Sequence, residues 1–525
     1  MKRNLPMVFK YLAIVAVSCL LAVGISHRFA AAQEPESSTR FAIAGAPSGV
    51  YMVETSRVAW CDGLRARDVP VKLYYPAIDA TVAFGFATAA MAQDAAIGSD
   101  GARHILGRTG FAASNSDIRA FATLSRAEAA DRLVKSAAAS TIAITSPPAW
   151  VNDKPVAPAT RQAMSQEERQ AEQRRNNEHA LELREWWFRE FLTTPSPLAE
   201  KMTLFWHNHF ATSQQKVRFT PLMYRQNVLL RRNALGNFGT LLREIARDPA
   251  MLIYLDGVNS RKEQPNENFA REVMELFTLG EGNYSERDIK EVARAFTGWS
   301  IDRESGEFMF RRGIHDYGMK TVLGKTGNFD GDQIIDVLLA KPEAAQFITR
   351  KLWKEFISST PDEHEVVKLA AGFRESGYNI AKLMRAVLTS DAFYAPQNRA
   401  ALIKSPVEFV VGTMKTFDIE TTNLRPFVIA SALLGQNVFA PPNVKGWPGG
   451  EAWINSATLL GRKQLIDRLF KNEDRMDVAM RSVVSASASS RSSRSCSSRV
   501  DASRARSWLG RSSDPSTGSG LGSAG

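Results

Sequence analysis

The segment from Pro265 to Trp299 carries the start and stop signals of two consecutive short helices, and this limits the folds open to the chain more than any other feature. Asn266 is a suitable N-cap for the first helix, and Gly280 stands where a left-handed residue can end it. Ser285, followed three positions later by an aspartate, starts the second helix as a capping box. The segment therefore predicts an antiparallel helical hairpin.

Helix start signals recur along the rest of the chain. Ser165 and Glu168 form a capping box that opens a helix expected to run to about Leu192. Ser196 as N-cap, with Pro197 at the first helical position, starts the next helix. Further N-caps are predicted at Ser116, Ser125 and Asp330, and further helices over 224–235, 238–247, 332–339, 343–356, 364–375, 380–388, 406–417 and 456–470.

Two parts of the chain depart from the helical pattern. Residues 299–310 have the spacing of a β-hairpin, with Gly306 at the turn. After about Val484 the composition changes to Ser, Arg, Ala and Gly, which leaves too few apolar side chains to offset the entropy of ordering. The predicted fold is therefore mainly α, a multi-helix globular body with a small β-hairpin insertion and a disordered C-terminal tail.

The predicted organisation has four parts. A signal peptide over 1–32 precedes a loosely structured N-terminal extension with short strands over 33–101. The helical domain covers 102–478, and the disordered Ser/Arg-rich tail covers 479–525.

The N-terminus has the features of a secretory signal. Lys2 and Arg3 precede an apolar run from Tyr11 to Ile25, and the small residues at 30–32 suit cleavage after Ala32. The apolar run is shorter than the roughly 18 residues that a membrane span requires. A periplasmic or secreted protein without a membrane span after signal removal is predicted, and an uncleaved signal anchor is the alternative.

The positive charge of the chain lies mainly at its two ends. Of the formal charge of +11, four units fall within residues 1–32 and five in the tail from Arg481, which leaves about +2 for the main body. Nucleic-acid binding needs clustered Lys and Arg side chains, so a nearly neutral body predicts no nucleic-acid partner.

The first of the two helices carries candidate catalytic carboxylates. Glu267, Arg271, Glu272 and Glu275 share a polar arc opposite an apolar one. The i, i+3 spacing of Glu272 and Glu275 allows the two carboxylates to reach one metal ion or to serve as acid and base. The structural alternative is a core helix with a solvated polar face, stabilised by an ion pair from Glu267 to Arg271.

Three histidines are further candidates. His207 and His209 lie about 200° apart on a helix and cannot share a metal there, but they would converge if the helix unwound at Asn208. With a carboxylate they would suit a divalent zinc, manganese or iron ion, although the cofactor is not determined by the sequence. The alternative is a pair of hydrogen-bonded structural histidines. His315, in a loop beside Asp316, is a catalytic candidate.

A proline- and glycine-rich loop over 441–450 supplies candidate substrate-binding residues. Such a composition excludes a helix or a central strand and predicts a loop of fixed shape. Trp447 and the nearby Trp453 are suited to stacking on a sugar ring, although both would also serve to close a core edge. We assign Arg271, Trp447 and Trp453 to substrate binding.

Eight motifs in a fixed order support a family resemblance over about 102–470: HILGRTGF, KMTLFWHNHF, NALGNFGTLLREIARDPAMLIYLD, PNENFAREVMELFTLGEGNY, ARAFTGW, NFDGDQIIDVLL, KSPVEFVVG and PPNVKGWPGGEAWIN. The chain resembles a bacterial exported family named domain of unknown function 1800. The resemblance implies an exported helical protein, often encoded beside a secreted family similar to sulfatases and alkaline phosphatases. It implies no catalytic residue.

The sequence thus supports two functional hypotheses. The first is an exported metal- or carboxylate-dependent hydrolase that acts on a cell-surface or extracellular polymer, with the histidines and glutamates in one site. The second is a non-catalytic scaffold that binds a glycan or a protein and works with a secreted sulfatase-like or phosphatase-like partner. Whether the protein is an enzyme is left open.

Overall fold

The computed structural model describes residues 51–62, 65–76, 95–302 and 304–471. The chain divides into two compact units, Met1–Thr88 and Ala89–Gly525. In the first unit, strands β1 (Tyr51–Asp62) and β2 (Arg65–Pro76) pair antiparallel over their full length. The predicted signal peptide (1–32) and the predicted disordered tail (479–525) lie outside the described residues.

The described part of the second unit is mainly helical, which confirms the predicted fold class. Its α-helices are α1 (Gly98–Thr109), α2 (Asn115–Ala122), α3 (Arg126–Ala139), α4 (Pro158–Ala163), α5 (Gln166–Thr193), α6 (Pro197–His209), α7 (Gln214–Val217), α8 (Thr220–Arg232), α9 (Phe238–Ala246), α10 (Pro249–Tyr254), α11 (Glu267–Met274), α12 (Glu286–Ala295), α13 (Gly331–Leu339), α14 (Pro342–Phe356), α15 (Glu363–Glu375), α16 (Ile380–Thr389), α17 (Asp391–Tyr394), α18 (Pro406–Thr416), α19 (Arg425–Leu433) and α20 (Ser456–Lys471).

Two short β-hairpins interrupt these helices. Strands β3 (Trp299–Ile301) and β4 (Phe308–Phe310) pair antiparallel, as predicted. Strands β5 (Lys320–Val322) and β6 (Lys325–Gly327) form a second hairpin that the sequence analysis missed. Its turn consists of Leu323 and Gly324, both with positive φ, and a leucine in that conformation is not a recognised turn signal.

Most of the predicted helix starts are confirmed. Ser125, Ser165, Ser285, Asn266 and Asp330 each accept a hydrogen bond from a backbone N–H of the first helical turn. The prediction of Ser116 as an N-cap was wrong by two residues. Ser114 caps α2 instead, because its hydroxyl accepts from the Asp117 N–H at 3.1 Å while the Asp117 carboxylate accepts from the Ser114 N–H.

Helix α6 lies between two hydrophobic clusters and is buried along nearly its whole length. Met202, Phe205 and Trp206 belong to the larger cluster, which extends through α9 to α16. Leu204 points into the smaller cluster, together with side chains of α5, α18 and α19. A helix enclosed in this way needs apolar side chains on opposite faces, and any polar side chain on it needs a buried partner.

Glu200 of α6 meets that requirement through a buried ion pair with Arg231 of α8. The Arg231 guanidinium donates to the two Glu200 oxygens at 2.6 and 2.9 Å. The Trp187 indole N–H donates to the same carboxylate at 2.8 Å, and Arg231 also donates to Asn227 at 2.7 Å. The network therefore ties α5, α6 and α8 together with its charges paired.

We expect Arg231→Met to lower the free energy of unfolding by roughly 3–5 kcal/mol, because Glu200 would stay buried without its partner. The double variant Glu200→Leu/Arg231→Met should recover much of the loss, since it leaves no unpaired charge. Urea unfolding followed by circular dichroism measures both. A double variant that is less stable than Arg231→Met would contradict this account.

Candidate functional site

Three consecutive residues at the end of α6 bind three distant segments of the chain. His207 Nε2 accepts a hydrogen bond from the Phe439 N–H at 3.0 Å. Asn208 Oδ1 accepts from the Trp447 N–H at 2.7 Å, and Asn208 Nδ2 donates to the Trp447 carbonyl at 3.4 Å. His209 Nε2 donates to the Phe277 carbonyl at 3.2 Å. The helix continues through Asn208, so the two imidazoles point to opposite sides of α6.

The surroundings of the two histidines differ accordingly. The ring of His207 packs against Trp187, Phe439 and Trp447, and burial lowers its pKa to about 3. His209 uses its second nitrogen, Nδ1, to accept from Lys351 Nζ at 3.0 Å. Within the described residues, no group of three or more His, Cys, Asp and Glu side chains is arranged to hold a metal ion. The structure thus does not bring the two candidate ligands together.

The carboxylates of α11 and of the π-helical turn that follows it (Glu275–Leu279) form a separate group. Burial, followed by the nearby charge of Glu275, raises the pKa of Glu272. Glu275 accepts a hydrogen bond from the Tyr284 hydroxyl at 2.5 Å. Arg271 pairs with Glu286 through two bonds of 2.8 and 2.9 Å, so the expected ion pair from Glu267 to Arg271 is not formed. The prediction considered only partners within α11 and missed Glu286 of the following helix, which offers both carboxylate oxygens to the Arg271 guanidinium.

The remaining catalytic candidate, His315, lies in another place. Its Nδ1 donates to the Thr297 carbonyl at 2.7 Å, and its ring is packed edge-on against Phe310 and Tyr317. The neighbouring Asp316 binds Arg294 at 2.7 Å rather than the imidazole. His315 therefore helps to fix the segment after the β3–β4 hairpin.

A different set of residues lines a cleft of about 1090 Å³. Its walls come from α1, α6, α14, α18, the segment 399–405 and the segment 445–453. Of the predicted site residues, His209, Trp447 and Trp453 line this cleft. Both tryptophans are mostly buried, at 4% and 7% exposure, so the cleft meets only a small part of each ring.

The cleft is strongly basic. Four acidic side chains line it, Asp100, Glu355, Glu408 and Glu451, against twice as many lysines and arginines. The excess of positive charge makes the cleft attractive to an anionic ligand. The cationic residues are Arg103, Arg108, Lys201, Lys351, Lys354, Arg399, Lys404 and Lys445.

Lys201 of α6 lies at the bottom of this cleft between two carboxylates. Its Nζ donates to Glu408 and lies 3.8 Å from Glu355. Burial acts to raise the pKa of Glu408, but the charge of Lys201 and hydrogen bonds from Lys201 and Ser405 outweigh it, so this pKa is lowered. Burial raises the pKa of Glu355 despite the opposing charge of Lys201. Two neighbouring carboxylates thus differ in their affinity for a proton.

Sequence reasoning missed Lys201, Lys351, Glu355 and Glu408. Averaging the charge over the main body concealed the cluster, because cations from five segments meet only in the folded chain. A usable signal was present in two of the shared motifs. KMTLFWHNHF places Lys201, and KSPVEFVVG places Glu408, next to several apolar residues of a predicted helix.

The fold and the cleft define a mainly helical protein with a basic cleft at the end of α6. A family profile described as "Protein of unknown function (DUF1800)" matches residues 104–513. The chain therefore belongs to this family, as the motifs indicated. No curated protein and no solved structure matches the chain. None of the helices in the described part of the chain combines the length and apolar character needed to cross a membrane.

We expect His207 to make the protein acid-sensitive. Its pKa falls from 6.5 to about 3 on folding, so the unfolded chain binds the extra proton between these values. The stability that neutral His207 provides above pH 6.5 is therefore lost as the pH falls towards 3, by up to about 1.4 kcal/mol per pH unit. His207→Gln should reduce this slope in urea unfolding, while His364→Gln, at a largely exposed site, should not. Equal slopes in the two variants would contradict the assignment.

Proposed function

We propose that this protein binds an anionic glycan in the basic cleft, as a non-catalytic binding scaffold. The observation that carries the proposal is the concentration of eight lysines and arginines, against four acidic residues, around one cavity. Of these cations, Arg103, Lys354 and Lys404 are exposed to solvent and can reach a ligand without breaking a buried interaction. Sulfate, phosphate and carboxylate groups on a sugar are the partners that such side chains bind.

The size of the cleft suits a short stretch of polymer as the ligand. At about 1090 Å³ it lies slightly above the range for ligand sites, which is roughly 300–1,000 Å³. A cleft of this volume takes a few sugar units. The exposed edges of Trp447 and Trp453 add apolar contact for sugar rings.

The proposed location and partner follow from the N-terminal segment and the family resemblance. A basic start, an apolar run and small residues before Gln33 support export to the periplasm or the medium. An anionic glycan would also suit a secreted sulfatase-like or phosphatase-like partner, because both proteins would then meet the same charged polymer.

Binding to dextran sulfate, with uncharged dextran of the same length for comparison, tests the proposal. We expect dextran sulfate to bind and dextran not to bind, with affinity that falls as salt is added. The double variant Arg103→Glu/Lys404→Glu should weaken binding at least about tenfold, because it reverses two exposed charges of the cleft. Isothermal titration calorimetry measures these affinities.

Lys382→Glu is the matched control, since Lys382 is an exposed lysine of α16 that does not line the cleft. It should bind dextran sulfate like the unaltered protein. A loss of affinity as large as that of the cleft variant would show that binding depends on the net charge of the protein and not on the cleft. Equal affinity for duplex DNA of similar charge would contradict the glycan proposal.

We also infer a second candidate function, a carboxylate-dependent hydrolase that uses Glu355 and Glu408 of the cleft. Glu355 has a raised pKa and a side chain that is 35% exposed, so it can donate a proton to the oxygen of a bound glycosidic bond. Glu408 is held ionised by Lys201 and would stabilise the positive charge that develops on the sugar. Glu272 and Glu275 do not line this cleft.

For the hydrolase, we expect Glu355→Gln to lower the release of reducing ends from a sulfated glycan by at least about 100-fold, because the amide cannot donate the proton. Glu272→Gln, a buried glutamate outside the cleft, is the matched control and should keep the activity. Loss of activity in Glu272→Gln alone would instead favour the site on α11.

A further inference from the structure

Lys351 of α14 has an environment unlike that of an ordinary surface lysine. It is partly buried, and its Nζ donates to His209 Nδ1 at 3.0 Å and to the Leu276 carbonyl at 3.4 Å. The Nζ also lies 4.9 Å from the centre of the Phe347 ring. Among the described residues no ion pair joins Lys351 to a carboxylate, and the charged group that acts on it is Lys354 of the same helix.

Both hydrogen-bond partners of Lys351 are uncharged acceptors. His209 stays neutral because burial, and then the Lys351 charge, keeps its pKa well below the ordinary value. Its Nε2–H is bound to the Phe277 carbonyl, which leaves Nδ1 as the acceptor. The two N–H groups of an uncharged amine are therefore both satisfied, and its lone pair is not needed for a hydrogen bond.

The electrostatics agree with this geometry. Burial, and then the charge of Lys354, lowers the pKa of Lys351 from 10.5 to about 8. At pH 7 such an amine is uncharged in about one molecule in ten, against roughly one in 3,000 for an unperturbed lysine. Desolvation and a neighbouring cation are the usual means by which proteins make a lysine nucleophilic.

We propose that Lys351 is a nucleophilic amine that captures an aldehyde in the cleft as an imine. The lone pair of Nζ forms a bond to the carbonyl carbon, and the π electrons move to the carbonyl oxygen, which takes up a proton. Loss of a water molecule and of the second amine proton then gives the C=N bond. The balance is amine plus aldehyde to imine plus water, with solvent carrying the protons.

The preferred aldehyde is expected to carry a negative charge, such as the open-chain form of an acidic reducing sugar. This part of the inference rests on the proposed binding of anionic glycans, because the surrounding cations would hold the charged group near Lys351. Capture of an uncharged aldehyde does not depend on that binding.

Glyceraldehyde, an uncharged aldehyde, with cyanoborohydride to reduce the imine, tests the amine directly in the folded full chain. Mass spectrometry of the digested protein gives the labelling rate at each lysine. At pH 7 we expect Lys351 to be labelled at least about tenfold faster than Lys354, which lines the same cleft and is more exposed. Equal or slower labelling of Lys351 would overturn the proposal.

Lys351→Arg keeps the positive charge but cannot form the imine, so it should abolish the fast label while circular dichroism shows an unchanged fold. A fast label that persists in this variant would place the reactive amine elsewhere. Dextran sulfate binding by the unaltered protein is scored separately. Fast labelling without dextran sulfate binding would support the nucleophilic Lys351 and refute the glycan proposal. Dextran sulfate binding without fast labelling would support the glycan proposal and refute the nucleophilic Lys351.

Discussion

The packing of the helical unit depends on helix α6, which is buried on opposite faces although it carries polar and charged side chains. Removing these groups from water is costly unless each one finds a partner. Glu200 is satisfied by Arg231 and Trp187, and Lys201 by Glu408 and Glu355. Each of these partners lies on a different helix from α6. The need to pair the buried polar groups of α6 thus fixes the positions of the helices that pack around it.

The same requirement produces the cleft. Asn208 holds Trp447 through its backbone N–H and carbonyl, and Gly446 must be glycine because a Cβ there would lie 2.5 Å from the Asn208 carbonyl oxygen. The loop is therefore held against the end of α6. His209 and Lys201, on two other parts of α6, extend to the cavity that this loop closes. The same residues therefore serve stability and the candidate site. Variants of Lys201 and His209 should be tested for folding as well as for ligand binding.

Helical periodicity predicted the relative orientation of His207 and His209 but not their hydrogen-bond partners. Helical geometry correctly indicated that His207 and His209 point away from each other as long as α6 continues through Asn208. The partners they take are the Phe439 N–H on one side and the Phe277 carbonyl and Lys351 on the other. These partners are more than 60 residues away in sequence, and two of them are backbone groups, which leave no trace in side-chain patterns. The hydrogen bonds could not have been predicted from the sequence.

The sequence by itself determined the helical class, most helix starts and the first small hairpin of the helical body, because caps, turn residues and apolar periodicity act over a few neighbouring residues. Only the tertiary structure decided which charged groups meet. Arg271 paired with Glu286 rather than Glu267, and a nearly neutral body gathered eight cations around one cleft. Such encounters depend on how distant helices pack, and the free energy of burying a charge is set by the side chains that packing brings beside it.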